Sequence, residues 1–217
     1  MQDLAIFDLD DTLLRGDSDV LWGEYLVDEG ILDNSHRQRH QEYYQQYEEG
    51  TLDIMAFLEF QLEILSQHPM QQLDEWRDDY LNKKIKPRLL SKAHDLINHH
   101  REQGRILIIV TATNNFVTGP IAKLFDIDNL IATEAEFNEG RYTGKVSGIP
   151  SFQAGKVTRL IAWLEKNEIE PGESWFYSDS HNDLPLLEWS DNPVAVDPDD
   201  QLRSVAETQD WPIISLR

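Results

Sequence analysis

At 217 residues the chain is long enough for one compact domain with a modest insertion, or for one larger domain. The 40 acidic against 19 basic side chains leave a formal charge of -21, which repels phosphate backbones and anionic lipid, so nucleic acid and membrane surfaces are excluded as partners. Cysteine is absent, which rules out disulfides, thiolate zinc sites and a cysteine nucleophile and leaves oxygen or imidazole to hold any metal.

The first residues, Met1 to Asp8, carry neither a basic region nor an apolar signal core, and no stretch reaches the roughly 18 apolar residues of a membrane span. A cytoplasmic location is expected. Leu4-Ala5-Ile6-Phe7 is a short apolar run ending in carboxylates, the pattern of a buried strand whose polar end opens onto a loop. From about Asp17 to Lys86 the pattern changes to helical periods rich in Glu, Gln, Tyr and Leu, punctuated by Gly30, Gly50 and Pro69. Within it Trp22, Tyr25 and Leu26 share one helical face, and Ile54, Phe57, Leu58, Gln61, Leu62 and Leu65 mark another. These faces are expected to pack on each other. A helix from about Leu89 to His100 precedes the strand Arg105 to Val110, and Leu130 to Ala132 reads as a third strand. Phe137 to Tyr142 is a hairpin turn, and Lys156 to Lys166 an amphipathic helix. Trp175 to Tyr177 and Val194 to Val196 are buried strands, with Ile213-Ile214 as a last one at the edge. Such alternation of strand and helix predicts an α/β fold with a parallel sheet.

Polar segments cluster at loops that follow predicted strands, where ligands of open parallel sheets gather. They are Asp8-Leu9-Asp10-Asp11-Thr12, then Val110-Thr111-Ala112-Thr113, then Lys156 after the Gly155 loop, then Asp179-Ser180-His181-Asn182-Asp183. Asp8 and Asp10 are two residues apart, so in extended geometry both carboxylates leave the same side of the strand end and one cation could hold them together. In this order the segments resemble the haloacid-dehalogenase superfamily of phosphotransferases, in particular its phosphoserine-phosphatase-like branch, whose short, capped relatives include histidinol-phosphatases. The likeness spans nearly the whole chain. It implies a three-layer Rossmann-like parallel sheet, residues 1–16 and 87–217, with an α-helical cap, residues 17–86, inserted after the first strand.

The resemblance also implies roles. Asp8 is the nucleophile that takes the phosphoryl group, and Asp10 is the general acid and base. Mg2+ is held by the Asp8 carboxylate, the Asp10 backbone carbonyl and Asp179. Thr111, Lys156 and Asn182 contact phosphate, Lys156 neutralising its charge, while Thr12 and Asp183 are supporting residues. Asp17, nine residues after Asp8, matches an acidic cap residue that holds a substrate amine, although that position is typically Glu. It serves equally as a helix N-cap before Val20. Asp11, Ser178 and Ser180 stand where relatives often carry Gly or, for Asp11, Gly or Ser.

An amine-bearing small phosphomonoester is the expected substrate, with histidinol phosphate ahead of phosphoserine because no single arginine can be assigned to a substrate carboxylate. Arg37, Arg39 and Arg77 are the candidates. A non-catalytic phosphate-binding module is the rival from another class, a carbon-halogen hydrolase a further enzymatic one, and the oligomeric state stays open between monomer and homodimer. His36 and His40, flanked by Arg37 and Arg39, read as a solvated helix face. His99-His100 reads as a helix end favoured by the dipole, and the Tyr43, Tyr44 and Tyr47 group as packing. His181 is left between substrate contact and solvent.

Overall fold

The computed structural model describes residues 1–217 apart from the side chain of Glu48. Its centre is a sheet with strand order β4-β3-β2-β1-β5-β6-β7, comprising β1 (Gln2–Phe7), β2 (Ile106–Asn114), β3 (Asn129–Asn138), β4 (Arg141–Ser147), β5 (Pro171–Ser178), β6 (Asn192–Val196) and β7 (Ile213–Ile214). Every pairing is parallel except β3 with β4, the expected hairpin. Period-two alternation explains why the inner strands are apolar throughout. Ala5, Phe7, Leu107 and Ile109 face one layer and Leu4, Ile6, Ile108 and Val110 the other, so both faces are dry.

The first layer is α5 (Ser91–Glu102) and α6 (Asn115–Leu124), joined by α1 (Ser18–Asp28); it buries Ile97, Phe116, Val117, Ile121 and Trp22. The second is α7 (Ala154–Lys166), α8 (Leu184–Trp189) and α9 (Asp200–Thr208), which bury Leu160, Leu164, Leu186, Leu187 and Leu202. Three layers follow, as the alternation of elements demands. β1 pairs with β2 on one side and β5 on the other, so consecutive crossovers leave it in opposite directions. The crevice beyond its carboxyl end is the topological switch point, where open α/β sheets place their ligands.

Between β1 and α5 the chain makes α1, α2 (Asn34–Glu48), α3 (Ile54–Gln67) and α4 (Met70–Tyr80), the last running on through a π-helical turn at Leu81–Ile85. Asp17, Asp33 and Asp53 each cap the following helix by accepting backbone N–H groups. Trp22 and Tyr80, 2% and 0% exposed, meet edge to face at 5.2 Å, and Trp22 meets Phe116 of α6 at 5.8 Å. That aromatic cluster seats the helical excursion on the sheet layer. α3 reaches across to β4, where a Cβ on Gly144 would stand 3.2 Å from Ser66 Oγ.

Several elements differ from the sequence pattern for identifiable reasons. β2 continues through Thr111, Ala112 and Thr113 to Asn114, because hydrogen bonds to Asp10 and within the turn satisfy buried polar groups that read as a strand end. β3 is longer than residues 130–132 because its outer half is one arm of the hairpin. His36 and His40 do not form a solvated face. His36 stacks on Phe60 at 4.4 Å and His40, 8% exposed, packs against Phe57 and Phe60, since α3 covers this side of α2. His100 is also buried, between Tyr177 and Arg105, so contacts rather than the helix dipole set its state. Among the described residues no helix is long and apolar enough to cross a membrane.

Candidate active site

Asp8 begins where β1 ends. Its N–H donates to the Tyr177 carbonyl at 2.9 Å, continuing the ladder, while its side chain enters a cavity of about 300 Å³. The following turn is buried on its apolar side, with Leu9, Leu13 and Leu14 fully covered. Asp11 takes φ +53°, a left-handed conformation that Asp tolerates better than most residues, and its carboxylate accepts from Gly16 N at 3.2 Å. That geometry turns Thr12 inward, where Oγ1 donates to Asp179 Oδ1 at 3.0 Å across 167 residues of sequence.

Lys156 Nζ donates to Asp8 Oδ1 at 2.7 Å and lies 2.7 Å from both oxygens of Asp183. Ser178 Oγ donates to Asp183 as well, at 2.7 Å. The lysine is delivered by the first turn of α7. A Cβ on Gly155 would stand 2.1 Å from the Pro150 carbonyl oxygen, an overlap that only glycine avoids. Burial by itself would lower the Lys156 pKa, but Asp183 and Asp8 outweigh it and hold the ammonium above its usual value.

Asp10 accepts from Ser18 N at 2.7 Å and from Thr113 Oγ1 at 2.9 Å, with Thr111 Oγ1 at 3.4 Å. The base of the helical excursion thus grips the same carboxylate as the end of β2. Burial above all, then the charge of Asp17, raises Asp10 to about 7. Asp8 is likewise raised to about 7, by burial first and then Asp183 and Asp10, against the pull of Lys156. Asp179 is raised well above its ordinary value by burial and by Asp8.

Lys156 is the sole lysine or arginine among the described residues of the cavity wall, which also carries Asp8, Asp10, Asp17, Asp19, Asp179 and Asp183. Such a surplus of buried carboxylate fits a hard divalent cation. Among the described residues no three His, Asp or Glu side chains group closely enough to ligate a metal by themselves. Asp8 and Asp179, close enough for the charge of one to raise the other, could hold a cation such as magnesium, which keeps several waters. Asn182 Oδ1 accepts from Gln153 at 2.8 Å, and its Nδ2 is a buried donor with no partner, free for an anion.

All the residues singled out in sequence as phosphate, metal or proton groups line or brace this one cavity. The arginines do not. Arg37 pairs with Asp28 and Arg77 with Asp74, Arg77 also lying over Phe116, while Arg39 lies over the Phe60 ring. Sequence reasoning assigns no site role to Thr113, Gln61, His40, Phe57 or Phe152, and takes Asp19 only as one of the acids at the start of the helical segment whose field favours a cationic leaving group. Tyr43, Tyr44 and Tyr47, which read in sequence as packing, border the cavity, and Tyr47 OH meets Ser180 Oγ at 2.8 Å. His181 is neither free nor fully exposed, its Nδ1 lying 2.8 Å from Asp199 Oδ2.

The family model for haloacid dehalogenase-like hydrolases matches residues 5–188. The chain belongs to this family. This hydrolase is 39% identical to a histidinol-phosphatase of Neisseria meningitidis serogroup C (strain 8013), with all of both chains covered. Among solved structures it is similar to a protein of unknown function from Bordetella pertussis Tohama I, at 40% identity and TM-score 0.95 over the whole of both chains. A phosphoserine phosphatase solved as a phospho-aspartyl intermediate analogue shares the fold, with TM-score 0.71 and 17% identity over 100% of this chain and 94% of that one.

Proposed function

We propose that this hydrolase is a magnesium-dependent phosphatase of a small, amine-bearing phosphate monoester, and that its substrate is histidinol phosphate. The observation that supports the chemistry is the meeting of Asp8, Asp10, Lys156 and Asp179 in one cavity at the switch point of the sheet. Residues 17–86 then act as the cap over that cavity, excluding water from the reacting phosphorus.

Asp8 attacks phosphorus; its Oδ–P bond forms as the bond to the leaving oxygen breaks. Lys156 offsets the charge gathered on Asp8 and the phosphoryl oxygens, while Thr111 and Asn182 donate to those oxygens. Asp10, held by Ser18 N and Thr113, gives its proton to the departing alkoxide. It then takes a proton from the water that attacks the aspartyl-phosphate, which frees Asp8 and inorganic phosphate. A magnesium ion on Asp8, the Asp10 carbonyl and Asp179 would supply the positive charge that lets two anions approach.

The choice of substrate rests on two supports. The curated relative at 39% identity over both full chains is a histidinol-phosphatase. In addition, Lys156 is spent between two carboxylates, so the carboxylate of phosphoserine finds no lysine or arginine among the described wall residues. A flat cationic leaving group suits Tyr43, Phe57 and the acidic end of α1 better. Steady-state turnover with magnesium should give kcat/KM at least tenfold higher for histidinol phosphate than for phosphoserine, and chelation should silence both reversibly. A preference for phosphoserine overturns the substrate. Turnover indifferent to chelation overturns the metal.

A further inference from the structure

Most carboxylate oxygens around the cavity have their donors. Asp10 is held by Ser18 N and Thr113 Oγ1, and Asp199 by His181 and the Leu202 N–H. Asp17 Oδ1 accepts from Asp19 N at 2.8 Å and Val20 N at 3.0 Å, the geometry of a helix cap, and neither of its oxygens is both buried and unpartnered.

Asp19 differs. It sits in the first turn of α1, is 5% exposed and lines the cavity beside aromatic side chains of α2 and α3. Gln61 Nε2 donates to its Oδ2 at 2.6 Å, which fixes the plane of the carboxylate. Its Oδ1 is buried and has no hydrogen-bond partner. A buried carboxylate oxygen without a donor is costly, and such sites persist where a ligand completes them. Nothing cationic in the wall completes this one, since Lys156 is already shared by Asp8 and Asp183.

We infer that Asp19, oriented by Gln61, receives the ammonium of the leaving group and selects amine-bearing phosphate monoesters, whereas Asp17 is a structural cap. This rests on the cavity being the phosphatase site proposed above. Position in sequence favoured Asp17 for the role. The structure transfers it by two residues, because the helix backbone takes up one carboxylate and leaves the other. Asp19 thus adds a specificity group on the cap side of the cavity, separate from the phosphate machinery around Asp8.

The test compares kcat/KM for a matched pair: histidinol phosphate and its deamino analogue, which keeps ring, chain and phosphate. Wild type should prefer the amine at least 30-fold, the worth of one buried charge-assisted hydrogen bond. Asp19→Asn retains the shape and the acceptor for Gln61, and it should reduce that ratio at least tenfold, mainly through KM. Asp17→Asn should lower stability and leave the ratio within threefold. Absence of amine preference in the wild type overturns the inference without any variant. So does a ratio that falls less than tenfold in Asp19→Asn. Should Asp19→Asn fail to fold, Gln61→Met keeps the carboxylate but releases its orientation, and an unchanged ratio there is equally fatal. If wild type instead prefers phosphoserine over histidinol phosphate, the proposed substrate falls alone. The same ratio, taken between phosphoserine and its deamino analogue, then decides Asp19.

Discussion

Asp8→Asn should abolish turnover while making the metal-free protein harder to unfold. Asp8 is 7% exposed, and burial foremost, then Asp183 and Asp10, carries its pKa from 3.8 to about 7 even with Lys156 Nζ at 2.7 Å. A carboxyl raised in this way opposes folding once ionised: the penalty begins as pH climbs past 3.8 and is complete above about 7. At 1.36 kcal/mol per pH unit across that interval, the charged form costs about 4 kcal/mol at pH 8. Asparagine keeps the shape and removes the charge, and the pull of Lys156 on that charge is already contained in the shifted value. A stabilisation of up to about 4 kcal/mol is expected, read by urea unfolding at pH 8 in chelator. Hydrolysis of p-nitrophenyl phosphate with magnesium should drop at least about 10,000-fold, the scale of losing a nucleophile. Measurable turnover above about 1% of wild type, or a variant less stable by more than about 1 kcal/mol, refutes the reasoning. Confirmation would mean that the site holds an unfavourable charge for the sake of its chemistry.

Asp10→Asn should slow hydrolysis of an alkyl phosphate about 100- to 1,000-fold and of p-nitrophenyl phosphate much less, because nitrophenolate departs without a proton; the ratio of the two kcat values reads the role. Gly155→Ala should cost about 2–3 kcal/mol in denaturant unfolding and depress activity, since the new methyl overlaps the Pro150 carbonyl oxygen at 2.1 Å and displaces the turn that delivers Lys156. His100 accepts at Nδ1 from Arg105 and so donates from Nε2 to Tyr177 OH, and burial, then the charge of Arg105, lowers its pKa to about 4. The unfolded chain therefore binds the proton first, and stability should fall by about 2 kcal/mol between pH 6.5 and pH 5. His100→Phe should flatten that slope, which unfolding midpoints at the two pH values would show.

Much of the catalytic end of the molecule was legible without coordinates because it lies on short-range patterns. An apolar run that stops at a carboxylate reads as a buried strand opening to solvent or to a ligand, and that logic located Asp8 and Asp179 just past the ends of β1 and β5, whereas Thr111 lies inside β2. The alternation of strand and helix likewise implied that these ends share one edge of a parallel sheet. Periodicity also located α1 and α3 and the faces they bury. It could not say what each face meets. Helical spacing shows that His36 and His40 share a side of α2, but whether that side sees water or Phe60 depends on where α3 lies, a contact made across the chain. Asp17 and Asp19 look alike as acids at a helix start. Only the folded arrangement separates them, since backbone N–H groups satisfy one, while the other, bonded by Gln61 42 residues away, keeps a buried oxygen without a partner at the cavity wall. Strand ends are fixed by local sequence because hydrophobic burial acts residue by residue, whereas the substrate wall is assembled from side chains whose partners are set by packing between helices.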